Sequence, residues 1–261
     1  MLMDKIDDIK DKIEESQMLL IGIGESVDAC TDIKGSSNYQ QIEQRTTNKW
    51  IMPFVMRELL GRQQEVYQSF YECLFQIVGN RNYFIISTCM DGYLKQFSKE
   101  ESRIVAPCGQ YEQLQCSNAC SDTLYEPSKE LSLQIKQYID GTMQEQSLKM
   151  PVCPCCGQPL VFNNVLAENY QENGYLPQWN HYTKWLQGTL NRKLTVFELG
   201  VGMKYPTVIR WPFEKTVFFN KKAVMYRVHD RLYQITEELK DKAYGICQNP
   251  LDFVKELSKE N

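Results

Sequence analysis

The stretch QMLLIGIGES, residues 17–26, sets the interpretation of the rest of the chain. It begins with a run of large apolar side chains and passes two glycines, Gly22 and Gly24, before it turns polar. Short apolar runs bounded by turn residues are typical of fully buried strands, and glycine tolerates the backbone conformations of tight turns. The stretch therefore predicts a buried strand that runs into a glycine turn.

Further apolar runs of similar length follow along the chain and alternate with segments of helical spacing. Strands that alternate with helices favour an α/β fold with a Rossmann-like parallel sheet and helices on both faces. Ligands of such open sheets bind beyond the carboxyl ends of the strands. The further predicted strands lie in NYFIIST (82–88), SRIVAP (102–107), KLTVFELGVG (193–202), KTVFFN (215–220) and AVMYRVH (223–229).

The remaining periodic segments predict helices, and one polar segment predicts a loop. The polar segment GSSNYQQIEQRTTN, residues 35–48, is expected to connect elements without regular structure. Of the two histidines, His181 is expected on a helix or the surface and His229 at a strand end. The predicted helices lie at 4–16, 55–78, 127–142, 176–190, 235–246 and 250–259.

Five of the ten cysteines stand in two short stretches, CSNAC at 116–120 and CPCCG at 153–157. Structural zinc sites take four soft donors, which two close pairs on tight turns supply without a large core. A spacing of two residues suits one metal better than adjacent cysteines do, so Cys155 is interpreted as a spare thiol. A chance cluster or a redox pair is the alternative. The predicted ligands of a structural zinc ion are Cys116, Cys120, Cys153 and Cys156.

The composition excludes several classes of protein. The chain has 261 residues, of which 43% are hydrophobic, so it can bury a large core. A formal net charge of −4 and scattered basic residues give no electrostatic reason to expect nucleic acid as a partner. No apolar segment reaches the roughly 18 residues of a membrane span, and the charged start does not look like a secretory signal. A cytoplasmic protein without membrane contacts is therefore expected.

The order of these motifs resembles that of the sirtuin family of NAD-dependent enzymes. The shared features are the strand into GIGES, the strand into STCMDGY, two cysteine pairs, and then FELGVG and VFFN. The resemblance spans roughly residues 18–258, and the chain looks closest to the divergent bacterial branch linked to protein ADP-ribosylation. It implies a single sirtuin-type domain over residues 1–261, with a smaller zinc-ribbon module inserted at 107–165.

The resemblance also implies which residues contact NAD. The family's glycine loop, which cradles the NAD phosphates, corresponds to residues 22–26, and its nicotinamide pocket corresponds to residues 88–93. The family's Asn in that pocket is replaced here by Cys89. The family's late phosphate and ribose loop corresponds to a segment that starts at residue 198, and its ribose-binding Asn at a strand end corresponds to Asn220. The implied NAD-binding residues are Gly22, Gly24, Ser26, Cys89, Asp91, Gly200, Gly202 and Asn220.

The catalytic base of main-branch sirtuins is a His followed by Gly, eight residues before the first zinc cysteine. Cys108 and Gly109 stand at that position here, and a cysteine normally titrates above neutrality, which makes it a poor substitute. The candidate catalytic residues are therefore Asp91, which would stabilise a ribosyl cation, and Gln110 or Cys108, which would position an acceptor.

Two functions remain open from these residues. The first is an NAD-dependent transferase that cleaves the nicotinamide–ribose bond and passes ADP-ribose to a protein, or removes an acyl group from lysine. Transfer through a ribosyl cation depends on positioning and nearby dipoles more than on a strong base. The alternative is a catalytically degenerate module that binds NAD or ADP-ribose as a sensor, or serves as a scaffold. Loss of the family's Asn and His favours the alternative, whereas the glycine turns favour retained nucleotide binding.

Overall fold

A computed structural model describes residues 2–62 and 64–259 as an α/β protein with a six-stranded and a two-stranded sheet. Over these residues the strands are Met18–Ile23 (β1), Asn82–Ser87 (β2), Ile104–Val105 (β3), Gly109–Cys116 (β4), Leu160–Asn164 (β5), Leu194–Leu199 (β6), Ala223–Val228 (β7) and Ala243–Ile246 (β8). The helices are Leu2–Glu15 (α1), Ala29–Gly35 (α2), Ser37–Arg45 (α3), Ile51–Leu60 (α4), Gln64–Val78 (α5), Tyr93–Phe97 (α6), Lys129–Ile139 (α7), Leu176–Gln187 (α8), Arg210–Phe219 (α9) and Pro250–Leu257 (α10). None of the described helices combines the length and the apolar composition needed to cross a bilayer.

The larger sheet has the strand order β3-β2-β1-β6-β7-β8, and each neighbouring pair in it is parallel. The chain first adds strands on one side of β1 and then returns to add β6, β7 and β8 on the other side. The direction of winding thus reverses between β1 and β6. In open α/β sheets such a switch point is where ligands bind, outside the carboxyl ends of the strands. The predicted Rossmann-like parallel sheet is confirmed.

Alternate side chains of the strands enter two hydrophobic cores, one on each face of the larger sheet. Leu19 and Ile21 of β1 belong to the core that includes side chains from α1, α5 and α10. Leu20, between them, belongs to the core that α8 and α9 cover. Because both faces are buried, β1 reads as a continuous apolar run instead of an alternating one.

The smaller sheet pairs β4 and β5 antiparallel, and both strands lie within the segment expected to form the zinc-ribbon module. Between them, α7 packs against α4. Arg45, the last residue of α3, donates to the carbonyls of Tyr138 and Ile139 at the end of α7, at 2.7 and 3.0 Å. The ring centroids of Phe162 in β5 and Phe54 in α4 are 4.8 Å apart. The smaller sheet therefore shares its core with the helices beside the larger one.

The segment 35–48 forms helix α3, so the prediction of a loop is wrong. The Ser36 hydroxyl accepts a hydrogen bond from the N–H of Tyr39, which caps the start of the helix. Tyr39 and Ile42 are buried, and the rest of the helix is mostly exposed and polar. Two apolar side chains are too few to give a clear periodicity, yet they suffice once the cap and tertiary contacts are present.

The segment KTVFFN lies at the end of α9, so the prediction of a strand there is also wrong. Phe213 and Val217, four residues apart on one helical face, are fully buried. By contrast, Phe218 and Phe219 are 51% and 69% exposed, so the apolar run does not correspond to a buried strand.

The predicted helix at 235–246 is replaced by a 3₁₀ turn at Glu237–Leu239 and the edge strand β8. β8 pairs with β7, which extends the larger sheet by one strand. The Lys242 ammonium donates to the carbonyls of Val217 and Phe218 at the end of α9, at 2.7 and 3.0 Å. Pairing along the sheet and this contact outweigh the helical preference of the segment's charged residues.

Candidate functional site

The loops that follow β1 and β6 meet at the switch point and are bonded to each other. The N–H of Gly24 donates to the carbonyl of Leu199 at 2.9 Å, and the N–H of Ser26 donates to that of Gly200 at 3.1 Å. A Cβ at Gly24 would collide with the Gly200 carbonyl, and a Cβ at Gly200 would collide with the Ser26 hydroxyl. Gly200 also has a φ of +66°, which favours glycine. The glycines are therefore required for the loops to meet.

These contacts change the expected roles of the first glycine loop. The N–H groups of Gly24 and Ser26 are bonded to carbonyls and are not available to a phosphate. Gly22 lies within β1, where a Cβ would collide with Ile209 and Phe213 at the start of α9. Gly22 thus permits close contact between a helix and the sheet, and its approach to a diphosphate stays a prediction.

The loop after β6 offers the free backbone donors of this crevice. Neither the N–H of Gly202 nor that of Met203 has a hydrogen-bond partner among the residues that the structure describes. The next N–H, that of Lys204, donates to the carboxylate Oε1 of Glu25 at 3.1 Å. Backbone N–H groups without a partner can donate to an anionic ligand. The loop therefore keeps two such donors, those of Gly202 and Met203, at the switch point.

Arg210 brings a cation to the same loop. Its side chain is 8% exposed, and its Nη2 donates to the carbonyls of Val201 and Leu232 at 2.7 and 2.8 Å. The Nε atom is buried without a hydrogen-bond partner among the described residues. A buried, unpaired guanidinium N–H is costly unless a ligand or water completes it. Its position beside Val201 makes an anionic group the natural complement.

Asn220 follows a helix and lies away from this crevice, so the prediction that it ends a strand is wrong. It directly follows α9, and its side-chain amide donates to the carbonyls of Thr189 and Arg192 at 2.8 and 3.1 Å. Those carbonyls lie just before β6 begins, at the amino end of the strands. The error follows from reading the last turn of α9 as a strand.

His229 is the residue that follows the carboxyl end of β7, and the sequence analysis placed it at a strand end without assigning it to the site. Its Nδ1 accepts hydrogen bonds from the N–H groups of Arg231 and Leu232, at 3.0 and 3.2 Å. Burial is the main cause that lowers the pKa of His229, so the ring is neutral near pH 7. The same Nδ1 lies 2.6 Å from the Oδ1 of Asp230, a contact that favours a proton on Nδ1, so the two sets of contacts do not fix the tautomer. Nε2 has no hydrogen-bond partner among the described residues, and it offers a ligand either an N–H or a lone pair.

Asp91 and Asp28 join the loops after β1 and β2 as a buried pair of carboxyl groups. Asp91 accepts hydrogen bonds from the N–H groups of Ala29 and Tyr93, each at 3.0 Å. Asp28 accepts from the N–H of Met90 at 3.1 Å and caps α2. Burial, followed by the charge of Asp28, raises the pKa of Asp91 to about 8. Asp91 is therefore mainly protonated near pH 7, which speaks against it as the charge that stabilises a ribosyl cation.

This pair predicts that the free energy of unfolding falls as pH rises from about 6.5 to about 8. Native Asp91 keeps its proton to about pH 8, whereas the unfolded residue loses it near 3.8, so the native state binds more protons throughout this window. The slope is at most about 1.4 kcal/mol per pH unit. Urea denaturation at several pH values should show this slope in the wild type and in the control variant Asp241→Asn, which changes an exposed residue. A wild-type slope equal to that of Asp91→Asn would contradict the assignment.

Cys89 and Cys108 are both buried thiols at the edge of the crevice. The Cys89 thiol donates to the Gly24 carbonyl at 3.3 Å, and burial raises its pKa well above the ordinary value. Burial raises the pKa of Cys108 to about 12, while the nearby Lys204 charge lowers it. Both thiols are protonated near pH 7, so neither supplies a base.

Gln110 lines a polar cleft between the larger sheet and the β4–β5 sheet. The cleft is also lined by Asn163, Tyr175 and Gln178, and the side-chain amide of Gln110 has no partner among the described residues. An adjoining cleft, which is lined by Asp91, shares side chains with it. Gln110 therefore lines a cleft next to the one that Asp91 lines, and its role toward an acceptor stays a prediction.

The four predicted metal ligands lie together. The Sγ atoms of Cys116, Cys120, Cys153 and Cys156 all lie within 4.8 Å of one another. The Cys116–Cys156 and Cys120–Cys153 separations are 3.5 and 3.6 Å. A tetrahedral ion with bonds of about 2.3 Å to sulfur requires separations of about 3.8 Å. The cluster can therefore hold a metal ion, and Cys155 lies outside it.

Comparisons with known proteins came from curated sequences and from solved structures, and no protein-family model matches the chain. A probable bifunctional ADP-ribose hydrolase/ADP-ribosyltransferase of Fusarium oxysporum f. sp. cubense is 29% identical over 138 residues, 51% of this chain and 23% of that protein. A protein ADP-ribosyltransferase of Staphylococcus aureus is 22% identical over 188 residues, 71% of this chain and 59% of that protein. The chain thus matches about a quarter and three fifths of the length of these relatives.

Solved sirtuin structures match over almost the whole chain. A Sir2 enzyme aligns with a TM-score of 0.56 and 12% identity, over 98% of this chain and 96% of that chain. A sirtuin studied for substrate affinity aligns with a TM-score of 0.55 and 11% identity, over 97% and 96%. A Sir2 variant with a deacetylated p53 peptide and 3'-O-acetyl ADP-ribose gives 0.53 and 12%, over 96% of each chain. The chain therefore has the fold of the Sir2 sirtuins, the family whose motif order its sequence resembles.

Proposed function

We propose that the chain binds NAD at the switch point between β1 and β6, cleaves its nicotinamide–ribose bond and transfers ADP-ribose to a protein. The observation that carries the proposal is the pair of unpartnered N–H groups at Gly202 and Met203. They lie directly beside the interlocked glycines, Gly24 and Gly200, whose loops meet at the switch point. Open α/β sheets bind nucleotides at this point, and unpaired backbone N–H groups can donate to a phosphate. The names of the two curated relatives support ADP-ribosyl transfer as the reaction class.

The crevice offers groups suited to each polar part of NAD. The N–H groups of the 202–204 loop would hold the diphosphate, and the positive charge of the buried Arg210 beside Val201 would favour its binding. The Nε2 of His229, in place of the predicted Asn220, would form a hydrogen bond with a ribose hydroxyl, which can donate or accept. The four-cysteine cluster would hold a zinc ion, and since all four positions are filled by protein thiolates the ion would be structural.

The proposed reaction breaks the glycosidic bond between C1' of the ribose and the nicotinamide nitrogen. The bonding electron pair leaves with nicotinamide, which departs neutral, and C1' becomes part of a ribosyl cation. A nucleophilic side chain of the acceptor protein then donates a lone pair to C1', and its proton passes to water. The chain would contribute chiefly by holding the ribose and the acceptor in position.

The geometry favours this transfer over lysine deacylation. Deacylation by main-branch sirtuins uses an imidazole to activate a ribose hydroxyl, and the Cys108 thiol at that position is protonated near pH 7 because burial raises its pKa to about 12. The second candidate function is a sensor that binds NAD or ADP-ribose without turnover. The burial of both Cys89 and Cys108 supports it, since neither is placed as a reactive group.

The proposal is tested by measuring, with chromatography, the nicotinamide that is released from NAD. We expect release by the wild type, and we expect His229→Ala to bind NAD about tenfold more weakly because a hydrogen bond is lost. Asn220→Ala is the matched control, since Asn220 lies at the other end of the sheet, and its NAD affinity should be unchanged.

The possible results separate the candidate functions. Thermal stabilisation by NAD without nicotinamide release would support the sensor. No stabilisation and no release would overturn both the transferase and the sensor. Equal NAD affinities of His229→Ala and the wild type would remove His229 from the site while leaving the reaction in place.

A further inference from the structure

Glu25 places a carboxylate inside the position that a diphosphate is proposed to occupy. Its Oε1 accepts the Lys204 N–H at 3.1 Å, and a Cβ at Gly202 would collide with the same carboxylate. The Glu25 side chain is half-buried and makes no salt bridge with any described residue. A single backbone N–H therefore holds this carboxylate against the loop after β6.

The surroundings of Glu25 show that this position suits an anion. Burial lowers the pKa of Arg210 and of His229, whereas the negative charge of Glu25 favours their charged forms and so acts to raise the pKa of each. The same charge disfavours the thiolate of Cys108, whose pKa burial and Glu25 both raise. Glu25, Arg210, His229 and Cys108 belong to four different segments of the chain. The charge of Arg210 therefore acts on this position, while the Lys204 N–H is the hydrogen-bond donor that the carboxylate uses.

From these contacts we propose that Glu25 is an internal substitute for phosphate, and that it must leave the Lys204 N–H before a dinucleotide diphosphate can bind. Glu25 therefore sets the affinity of the site for diphosphate nucleotides. A carboxylate and a diphosphate compete for the same N–H, and once displaced the carboxylate still repels the nearby negative charge. The inference rests on the proposed nucleotide site and concerns how strongly that site holds its ligand.

Calorimetric titration with ADP-ribose tests this role. Glu25→Gln removes the charge and keeps the shape of the side chain, so we expect it to bind ADP-ribose about tenfold or more tightly than the wild type does. Adenosine carries no phosphate, and its affinity should be the same in both proteins. Glu43→Gln, which removes an exposed charge on α3, should leave both affinities unchanged.

Hydrogen exchange of the protein without nucleotide gives a second measurement. Glu25→Ala removes the acceptor of the Lys204 N–H, so we expect that N–H to exchange several-fold faster than in the wild type. A thermal melt of the same sample shows whether the variant is folded. Equal exchange of Lys204 in the two folded proteins would overturn the contact on which the inference rests.

The outcomes distinguish this inference from the proposed function. Tighter binding of ADP-ribose by Glu25→Gln without nicotinamide release would support the inference and overturn the enzyme. Nicotinamide release with equal or weaker ADP-ribose binding by Glu25→Gln would support the enzyme and overturn the inference. Absence of ADP-ribose binding in both proteins would overturn both.

Discussion

Cys153→Ser is expected to lose the bound metal and to unfold the β4–β5 sheet. Cys153 is 2% exposed, and its thiol lies 3.6 Å from that of Cys120. Structural zinc contributes on the order of 10 kcal/mol or more to the folding of small zinc domains. A serine hydroxyl is a poor replacement for a thiolate, so most of that contribution should disappear. Elemental analysis of purified protein, with thermal unfolding by circular dichroism, measures both effects.

Cys155→Ser is the matched control, because Cys155 is two residues away and lies outside the cluster. It should keep about one zinc ion per chain and melt like the wild type. Retention of zinc by Cys153→Ser, or its loss from Cys155→Ser, would contradict the assignment of the ligands. The loss should also extend beyond the module, because Phe162 of β5 packs on Phe54 of α4.

Arg227→Met is expected to lower the free energy of unfolding by about 3–5 kcal/mol. Arg227 is 1% exposed in β7, and its Nε donates to the Oε2 of Glu198 at 2.6 Å, a carboxylate that is 0% exposed in β6. Its other nitrogens donate to Glu214 and to the carbonyl of Gln234, each at 2.7 Å. Without the guanidinium, a buried carboxylate remains without its charged partner, and the loop that begins at His229 loses a fixed contact.

The double variant Arg227→Met with Glu198→Leu separates the pair from the packing. Replacing both buried partners by apolar side chains leaves no uncompensated charge, so the double variant should be more stable than Arg227→Met alone. Urea denaturation provides both free energies. A loss below about 1 kcal/mol in the single variant, or a further loss in the double variant, would show that the buried charge is not the cause.

The sequence predicted the parts of the fold that depend on local pattern. β1, β2, β6 and β7 were predicted because each is buried on both faces and so reads as one apolar run. The metal cluster was predicted because two cysteine pairs can bind one ion whatever the structure of the chain between the pairs. Both patterns lie in short, contiguous stretches of sequence, so they can be recognised without knowledge of tertiary contacts.

The errors arose where tertiary contacts decide the structure. The run at 216–219 has strand composition, yet Phe213 and Val217 bury the helical face of α9 against the sheet. The false strand placed a candidate site residue at Asn220, whereas the strand that ends at the crevice is β7, which His229 follows. The role of Gly22 was missed for the same reason, because nothing in the first glycine loop shows that α9 lies above it.

The interlocked glycines have a consequence for how this protein can be altered by design or by evolution. The loops that leave β1 and β6 touch through positions 24 and 200, where even a methyl group would collide with the facing loop. A mutagenesis library aimed at new ligand preferences should hold these two positions constant. Diversity belongs at Glu25 and Met203, whose side chains border the same opening without holding it together.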